Sequence, residues 1–167
     1  MYTRILVPLD GSERSEAILP LVYLLASAES AEVVFLRAAE YPYALYAACY
    51  EYPPADPRMA ESIQDQKQAI FQGVRDYLER VAAGAAGVKV RIEVSERPAV
   101  EAILEAIACL RVDLVAMSTG VGPGVGAIPD RVLQEAKVPV ILINGDALPR
   151  AYFHSSLPVS LSHPAMT

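Results

Sequence analysis

The chain has 167 residues, about the length of one ordinary domain. Lys and Arg total 14 against 20 Asp and Glu, a formal net charge of −6, which argues against a nucleic-acid surface and against docking on an anionic membrane, since both need clustered cations. A 53% hydrophobic content without Trp belongs to a packed aliphatic core rather than to disorder, and no run reaches the roughly 18 apolar residues of a membrane span.

The start, MYTRILVPLDGSE, lacks a basic segment, a long apolar core and a cleavage site, so a cytoplasmic rather than a secreted chain is expected. Arg4–Pro8 (RILVP) reads as a first strand that stops at the turn Asp10-Gly11-Ser12. Ser12 stands where a helix N-cap belongs, with Ser15 and Glu16 in the first turn. Ile18, Leu21, Val22 and Leu25 then recur at helical spacing between Ala17 and Ala28. Pro20 marks a kink or a late start of that helix. Glu32–Ala39 reads as a second buried strand. Glu40–Arg58 holds five tyrosines and four prolines, which predicts a loop or a pair of turns. Its rings are expected to fold over the sheet edge, with stacking on a base or a partner as the alternative.

Met59–Ala83 is the longest predicted helix, striped by Ile63, Ile70, Val74, Tyr77, Leu78 and Val81 and ended by Gly84 and Gly87. Val88–Val94 alternates apolar and charged residues, as an edge strand does. Pro98 opens a helix through Leu110, with Val100, Ile103, Leu104 and Ile107 inward. Leu114–Met117 is a buried strand, Pro129–Ala136 a short helix and Val138–Ile143 the last strand. The remainder carries both histidines and several prolines and serines, and is expected to be a loose tail beyond a 1–145 domain. Strands alternating with helices predict a single-domain, Rossmann-like α/β fold: a parallel sheet with helices on both faces.

In such folds ligands sit beyond the carboxyl ends of the strands, where the strand order reverses. Three segments fall there: Pro8–Ser12, Ala38–Tyr41 and Ser118–Ala127. The Asp10 carboxylate could hold a ribose hydroxyl, a base amino group or a metal through water, or could instead help Ser12 cap the next helix. Gly120, Gly122, Gly124 and Gly126 alternate, which lets backbone N–H groups gather toward an anion ahead of a helix N-terminus. The segment is neither a Walker A loop nor a GxGxxG turn.

Taken together, ILVPLDGSERS at Ile5–Ser15, VVFLRAAE at Val33–Glu40, SERPAVEAIL at Ser95–Leu104, and DLVAMSTG with DRVLQEAKVPVILI between Asp113 and Ile143 resemble the universal stress protein family, a branch of the adenine-nucleotide α-hydrolase-like folds. The resemblance implies a five-stranded parallel sheet of order 3-2-1-4-5, with adenine near Pro8, Asp10 and Ala38. It implies phosphates wrapped by the segment that here holds Ser118, Thr119, Gly120, Gly122, Gly124, Gly126 and Ala127, and a homodimer through Val138–Ile143. The family's phosphate loop reads Gly, two residues, Gly, nine residues, Gly, then Ser or Thr. Here no two glycines are three apart, only five residues separate Gly120 from Gly126, and Ala127 replaces the hydroxyl. Glu96 stands where the family often has Gly, and is expected to repel a phosphate or narrow the base pocket.

No catalytic or metal-binding residues are expected. Cys49 and Cys109 form no CxxC pair and read as free thiols; His154 and His163 lie in the tail. Neither a His-x-Gly-His nor a Ser-Gly-Gly-x-Asp-Ser motif is present. The resemblance, with these departures, implies a dimeric, non-catalytic regulatory or interaction protein of the stress response with a degenerate nucleotide loop. The alternative is a member that uses ATP or AMP, with Mg, as a regulatory ligand.

Overall fold

A computed structural model describes residues 2–120 and 126–145. Gly122, Gly124, both histidines and the expected tail lie outside the described residues. Five parallel strands form one sheet: β1 (Arg4–Pro8), β2 (Glu32–Ala38), β3 (Lys89–Ser95), β4 (Leu114–Thr119) and β5 (Val140–Asn144). Their order is β3-β2-β1-β4-β5, as expected. β1 sits in the middle, with Ile5 opposite Val33 on one side and Leu114 on the other.

The pleat explains the layers. Ile5 and Val7 point to one face and Leu6 to the other, and all three are fully buried. The first face is covered by α2 (Leu19–Glu29) and by α4 (Pro57–Ala83), through Ile18, Val22, Tyr77 and Leu78 against Val33 and Phe35. The second face is covered by α5 (Ala99–Cys109) and α6 (Ala127–Glu135), through Ala102, Ile103, Ala106 and Val132 against Val34, Leu36, Val115 and Met117. Among the described residues no helix is long and apolar enough to cross a membrane.

Two elements differ from the sequence reading. The helix expected from Ala17 is split. Ser12 Oγ accepts the Ser15 N–H at 3.1 Å and caps a single turn, α1 (Glu13–Glu16). The chain then restarts as α2 with Pro20 in its first turn, where a missing N–H costs nothing; the late start is the correct reading of that proline. The tyrosine segment, expected as loop or turns, contains a short helix, α3 (Tyr43–Tyr46), continued by a π-helical turn at Ala47–Glu51. Four of its five rings stay exposed rather than folding over the sheet edge, while the Tyr41 hydroxyl is buried. Tyr43 and Tyr52 are 73% and 78% exposed, and Tyr46 and Tyr50 about half so. Leu45 is the buried anchor of the segment.

The two edges of the sheet differ. On β3, Lys89 and Arg91 are exposed and alternate with half-buried Val90 and Ile92. On β5, Val140 to Ile143 carry no charge and are all half-buried.

Candidate functional site

The turn after β1 is built by short-range hydrogen bonds. The Ser12 N–H donates to Asp10 Oδ1 at 2.8 Å. The Asp10 N–H donates to Ser15 Oγ at 3.3 Å, and Ser15 Oγ in turn donates to the Ser12 carbonyl at 2.9 Å. Asp10 therefore pins the turn while Ser12 caps α1. Partial burial works against the charged form of Asp10, but the hydrogen bonds from Ser12 and Ser15 outweigh it and hold its carboxyl below the usual carboxylate range. At Gly11, φ is +88°, and a Cβ there would stand 2.5 Å from the Arg37 guanidinium. That guanidinium stacks on the Tyr77 ring, 4.6 Å from its centroid, and the Tyr77 hydroxyl donates to Glu16 at 2.8 Å. The turn thus rests on a fixed floor contributed by β2 and α4.

Beside this turn the carboxyl ends of β1, β2 and β4 enclose an open cleft of about 130 Å3. Pro8 and Asp10 come from the end of β1, Ala38 from β2, and Met117 and Ser118 from β4. Ala99, Ala102 and Ile103 of α5 form one wall, and Ile128 and Pro129 of α6 another. The cleft lies where β1 separates β2 from β4, the point at which the strand order reverses. Its walls are mostly apolar, with the polar groups of Asp10, Ser15 and Ser118 at fixed positions, which suits a flat heterocycle carrying a polar substituent.

Of the residues singled out from the sequence, the cleft brings together Pro8, Asp10, Ala38 and Ser118. Thr119 is turned away: its hydroxyl donates to the Ile143 carbonyl at 3.4 Å, tying β4 to β5. Gly126 is the N-cap of α6 with φ +93°, and Ala127 begins the helix directly before the wall residue Ile128. Pro129 forms part of the wall as well as removing an N–H from that helix end. Gly120 follows Thr119 at the end of β4 and lies against the Arg14 side chain.

Ser15 and the α5 wall escaped the sequence reading. Ala99 and Ala102 are three residues apart, a spacing that shares a helix face, but small apolar residues read equally well as core. Glu96 does not narrow the base pocket as expected. Its carboxylate accepts from Lys67 Nζ at 2.8 Å and from the Tyr50 hydroxyl at 2.9 Å, and it does not line the cleft. The hydrogen bond from Lys67, opposed by burial and helped by Tyr50, holds its carboxyl below the usual range. Tyr41 packs beside this cluster. Its hydroxyl is buried without a hydrogen bond, and burial, followed by the nearby Glu96 charge, keeps it a neutral phenol. Among the described residues no three His, Cys, Asp or Glu side chains are grouped to hold a metal.

The family model of the universal stress proteins matches residues 1–144. The chain belongs to the universal stress protein family. Solved universal stress proteins share its fold. UspA from Lactobacillus plantarum is 20% identical, with a TM-score of 0.64 over 86% of this chain and 98% of that one. A universal stress protein in complex with cAMP is also 20% identical, with a TM-score of 0.56 over 86% of this chain and 98% of that one. A family protein from Arabidopsis thaliana with AMP bound is 15% identical, with a TM-score of 0.55 over 89% and 96% of the two chains. No curated protein matches the sequence. At these identities the structural likeness concerns the universal stress protein fold, and the cleft between Asp10 and α5 occupies its strand-order switch point.

Proposed function

We propose that this universal stress protein is a cytoplasmic, non-catalytic regulatory protein that receives an adenine nucleotide in the cleft. The base is held between Pro8, Asp10 and Ala38, and the phosphate end is directed past Ser118 toward Gly120 and Gly126. The observation that carries the reading is that four residues at the carboxyl ends of three separate strands, Pro8, Asp10, Ala38 and Ser118, line one preformed cavity. Asp10 is held ionised by its own turn, which makes it a fixed hydrogen-bond acceptor for an amino or hydroxyl group rather than a base that exchanges protons near neutrality. Relatives solved with AMP and with cAMP support the ligand class.

The phosphate end favours a short ligand. Five residues between Gly120 and Gly126, and Ala127 in place of a hydroxyl, offer less to wrap a triphosphate than the nine-residue spacing of the family pattern. AMP is therefore preferred to ATP with Mg. The same shortening favours a second reading, in which the fold serves as an interaction protein and the cleft stays without nucleotide.

Assembly belongs to both readings. β5 is an edge strand with four consecutive uncharged, half-buried residues, whereas the opposite edge is guarded by Lys89 and Arg91. Edge strands without such charges invite pairing, and a second copy set on β5 by a two-fold axis would satisfy both.

Native mass spectrometry of the purified protein tests the ligand reading. An added mass of AMP, present on purification or on addition of AMP at sub-millimolar concentration, is expected. A spectrum without any nucleotide adduct at millimolar AMP would leave the interaction reading standing.

A further inference from the structure

The exposed rings of the tyrosine segment serve neither the core nor the cleft. Tyr43, Tyr46, Tyr50 and Tyr52 are exposed, with Met59 soon after them in sequence. The other exposed large apolar side chains among the described residues, Leu24, Ile128 and Leu133, are spread over α2 and α6. Grouped apolar exposure marks a contact surface, and tyrosine is enriched in such surfaces. Tyr43, Tyr46 and Tyr50 recur at helical spacing through α3 and the π-helical turn, and the Tyr46 and Tyr50 ring centroids are 5.1 Å apart. The Tyr50 hydroxyl is held by Glu96 and Lys67, and Lys67 Nζ stands 5.2 Å from its ring centroid. Among the described residues no cation stands over Tyr43, Tyr46 or Tyr52.

The charge of the segment points the same way. Glu40, Glu51 and Asp56 are exposed, and among the described residues none of them is in an ion pair. Glu51 lies within the ring surface, where it accepts the Tyr43 hydroxyl at 3.2 Å. Elsewhere Glu79, Glu93 and Glu105 are each matched by an arginine. Arg58 is the one cation from Glu40 to Gln66, and the next, Lys67, is already matched by Glu96. We propose that this acidic tyrosine surface docks an arginine-bearing segment of a partner protein. The guanidinium groups stack on Tyr43, Tyr46 and Tyr52, and Glu40, Glu51 and Asp56 neutralise them. A guanidinium is planar and weakly hydrated, so it can lie on a ring while donating to a carboxylate. A nucleic acid would bring its phosphates against three carboxylates. A second copy set on this face by a two-fold axis would bring the same carboxylates against themselves. The surface stands apart from the cleft and does not depend on nucleotide.

Fluorescence anisotropy with the full chain tests this, using a labelled arginine–glycine repeat peptide, its lysine counterpart, a proline-rich peptide and a single-stranded oligonucleotide. The arginine peptide should bind, the lysine peptide more weakly, and the other two not at all. Changing Tyr43→Leu, Tyr46→Leu and Tyr52→Leu together keeps the net charge and should weaken the arginine peptide by about tenfold or more, whereas Phe at the same three positions should keep it within about twofold. Glu40→Gln with Glu51→Gln should weaken it about threefold or more, and Asp76→Asn, outside the segment, should leave it within about twofold. Equal binding by the leucine variant would mean diffuse attraction to an acidic chain and would overturn the proposal. So would an arginine peptide that does not bind, or tighter binding of the proline-rich peptide or the oligonucleotide. Sedimentation of both chains checks the remaining occupant: self-association of the native chain that the leucine variant loses would assign the surface to a second copy instead. A thermal melt shows each variant folded. Should the leucine variant not fold, chemical-shift mapping on the native chain decides: shifts induced by the arginine peptide within 40–58 support the proposal, and shifts confined elsewhere overturn it.

Discussion

Gly11 carries a constraint out of proportion to its size. It needs a left-handed φ of +88°, and the space where a Cβ would go is filled by the Arg37 guanidinium at 2.5 Å. Gly11→Ala is expected to lower stability by about 1–3 kcal/mol, the sum of a left-handed penalty and a displaced side chain. Adding Arg37→Ala should restore the steric part and leave the backbone part. Urea denaturation of the single and double variants separates the two; complete restoration would mean that the backbone strain is negligible. The motif Asp10-Gly11-Ser12 was legible as a turn because each residue has its own turn chemistry. Arg37 beneath it was not, because a single Arg at a strand end has no periodicity to announce it. Nor was Ser15 as a cleft residue, since a Ser behind an N-cap reads first as part of the cap.

At the scale of elements, the tyrosine segment is clasped by one polar cluster. Lys67 on α4 and Tyr50 on the π-helical turn both donate to Glu96 between β3 and α5. Glu96 has its carboxyl lowered, chiefly by the hydrogen bond from Lys67. Lys67 has its ammonium pKa raised by its hydrogen bonds to Glu96 and Tyr50. A lowered carboxylate contributes above its unfolded pKa and stops contributing as pH falls through the folded value. A raised ammonium contributes below its unfolded pKa and stops as pH rises through the folded value. The clasp should therefore hold from mildly acidic to mildly alkaline pH and open on the acid side, below the ordinary Glu range. Nuclear magnetic resonance of the Tyr50 ring across a titration reads this directly; a ring environment already changed at pH 6 would contradict it. Because Glu96 is 42% exposed on its side chain, Glu96→Gln should alter the order of the Pro42–Asp56 segment more than global stability, with a cost of about 0–1 kcal/mol. The sequence foretold prolines that break a long element, and Pro42, Pro53 and Pro54 do flank the short helices, while Pro57 opens α4. It did not foretell exposed rings, because tyrosine suits burial and solvent alike.

β5 offers a test of assembly at the same scale. Ile141→Glu places a charge on the uncharged edge, and light scattering at micromolar concentration should change from a dimer for the native chain to a monomer for the variant. A native monomer, or a variant dimer, would contradict pairing through β5.

For the whole molecule, the order of elements was legible because β1, β2 and β4 are buried on both faces and appear as unbroken apolar runs, while the helices between them carry apolar stripes; the sheet order came from the family resemblance, since apolar runs do not say which strands are neighbours. The same logic hid part of the site. The α5 wall is made of alanines and an isoleucine that serve the core on one turn and the cleft on the next, and no sequence pattern distinguishes the two. The fold nonetheless supports a definite ordering of stability and function. Phe35 is fully buried at the centre of the α2–α4 face, so Phe35→Ala should cost about 3–5 kcal/mol in chemical denaturation. Asp10→Ala removes a carboxylate at the cleft rim together with the acceptor of the Ser12 N–H, so a loss of stability of about 1 kcal/mol, well below that of Phe35→Ala, should accompany its effect on ligand binding.

Calorimetric titration of AMP into the native chain and into Asp10→Ala, with each shown to be folded by its melt, is expected to give a sub-millimolar Kd for the native chain. The variant should bind more weakly by about 1–3 kcal/mol, the scale of a lost hydrogen bond to a charged group. No heat of binding in the native chain, or equal affinity in the folded variant, would contradict the assignment of the cleft to an adenine nucleotide held by Asp10.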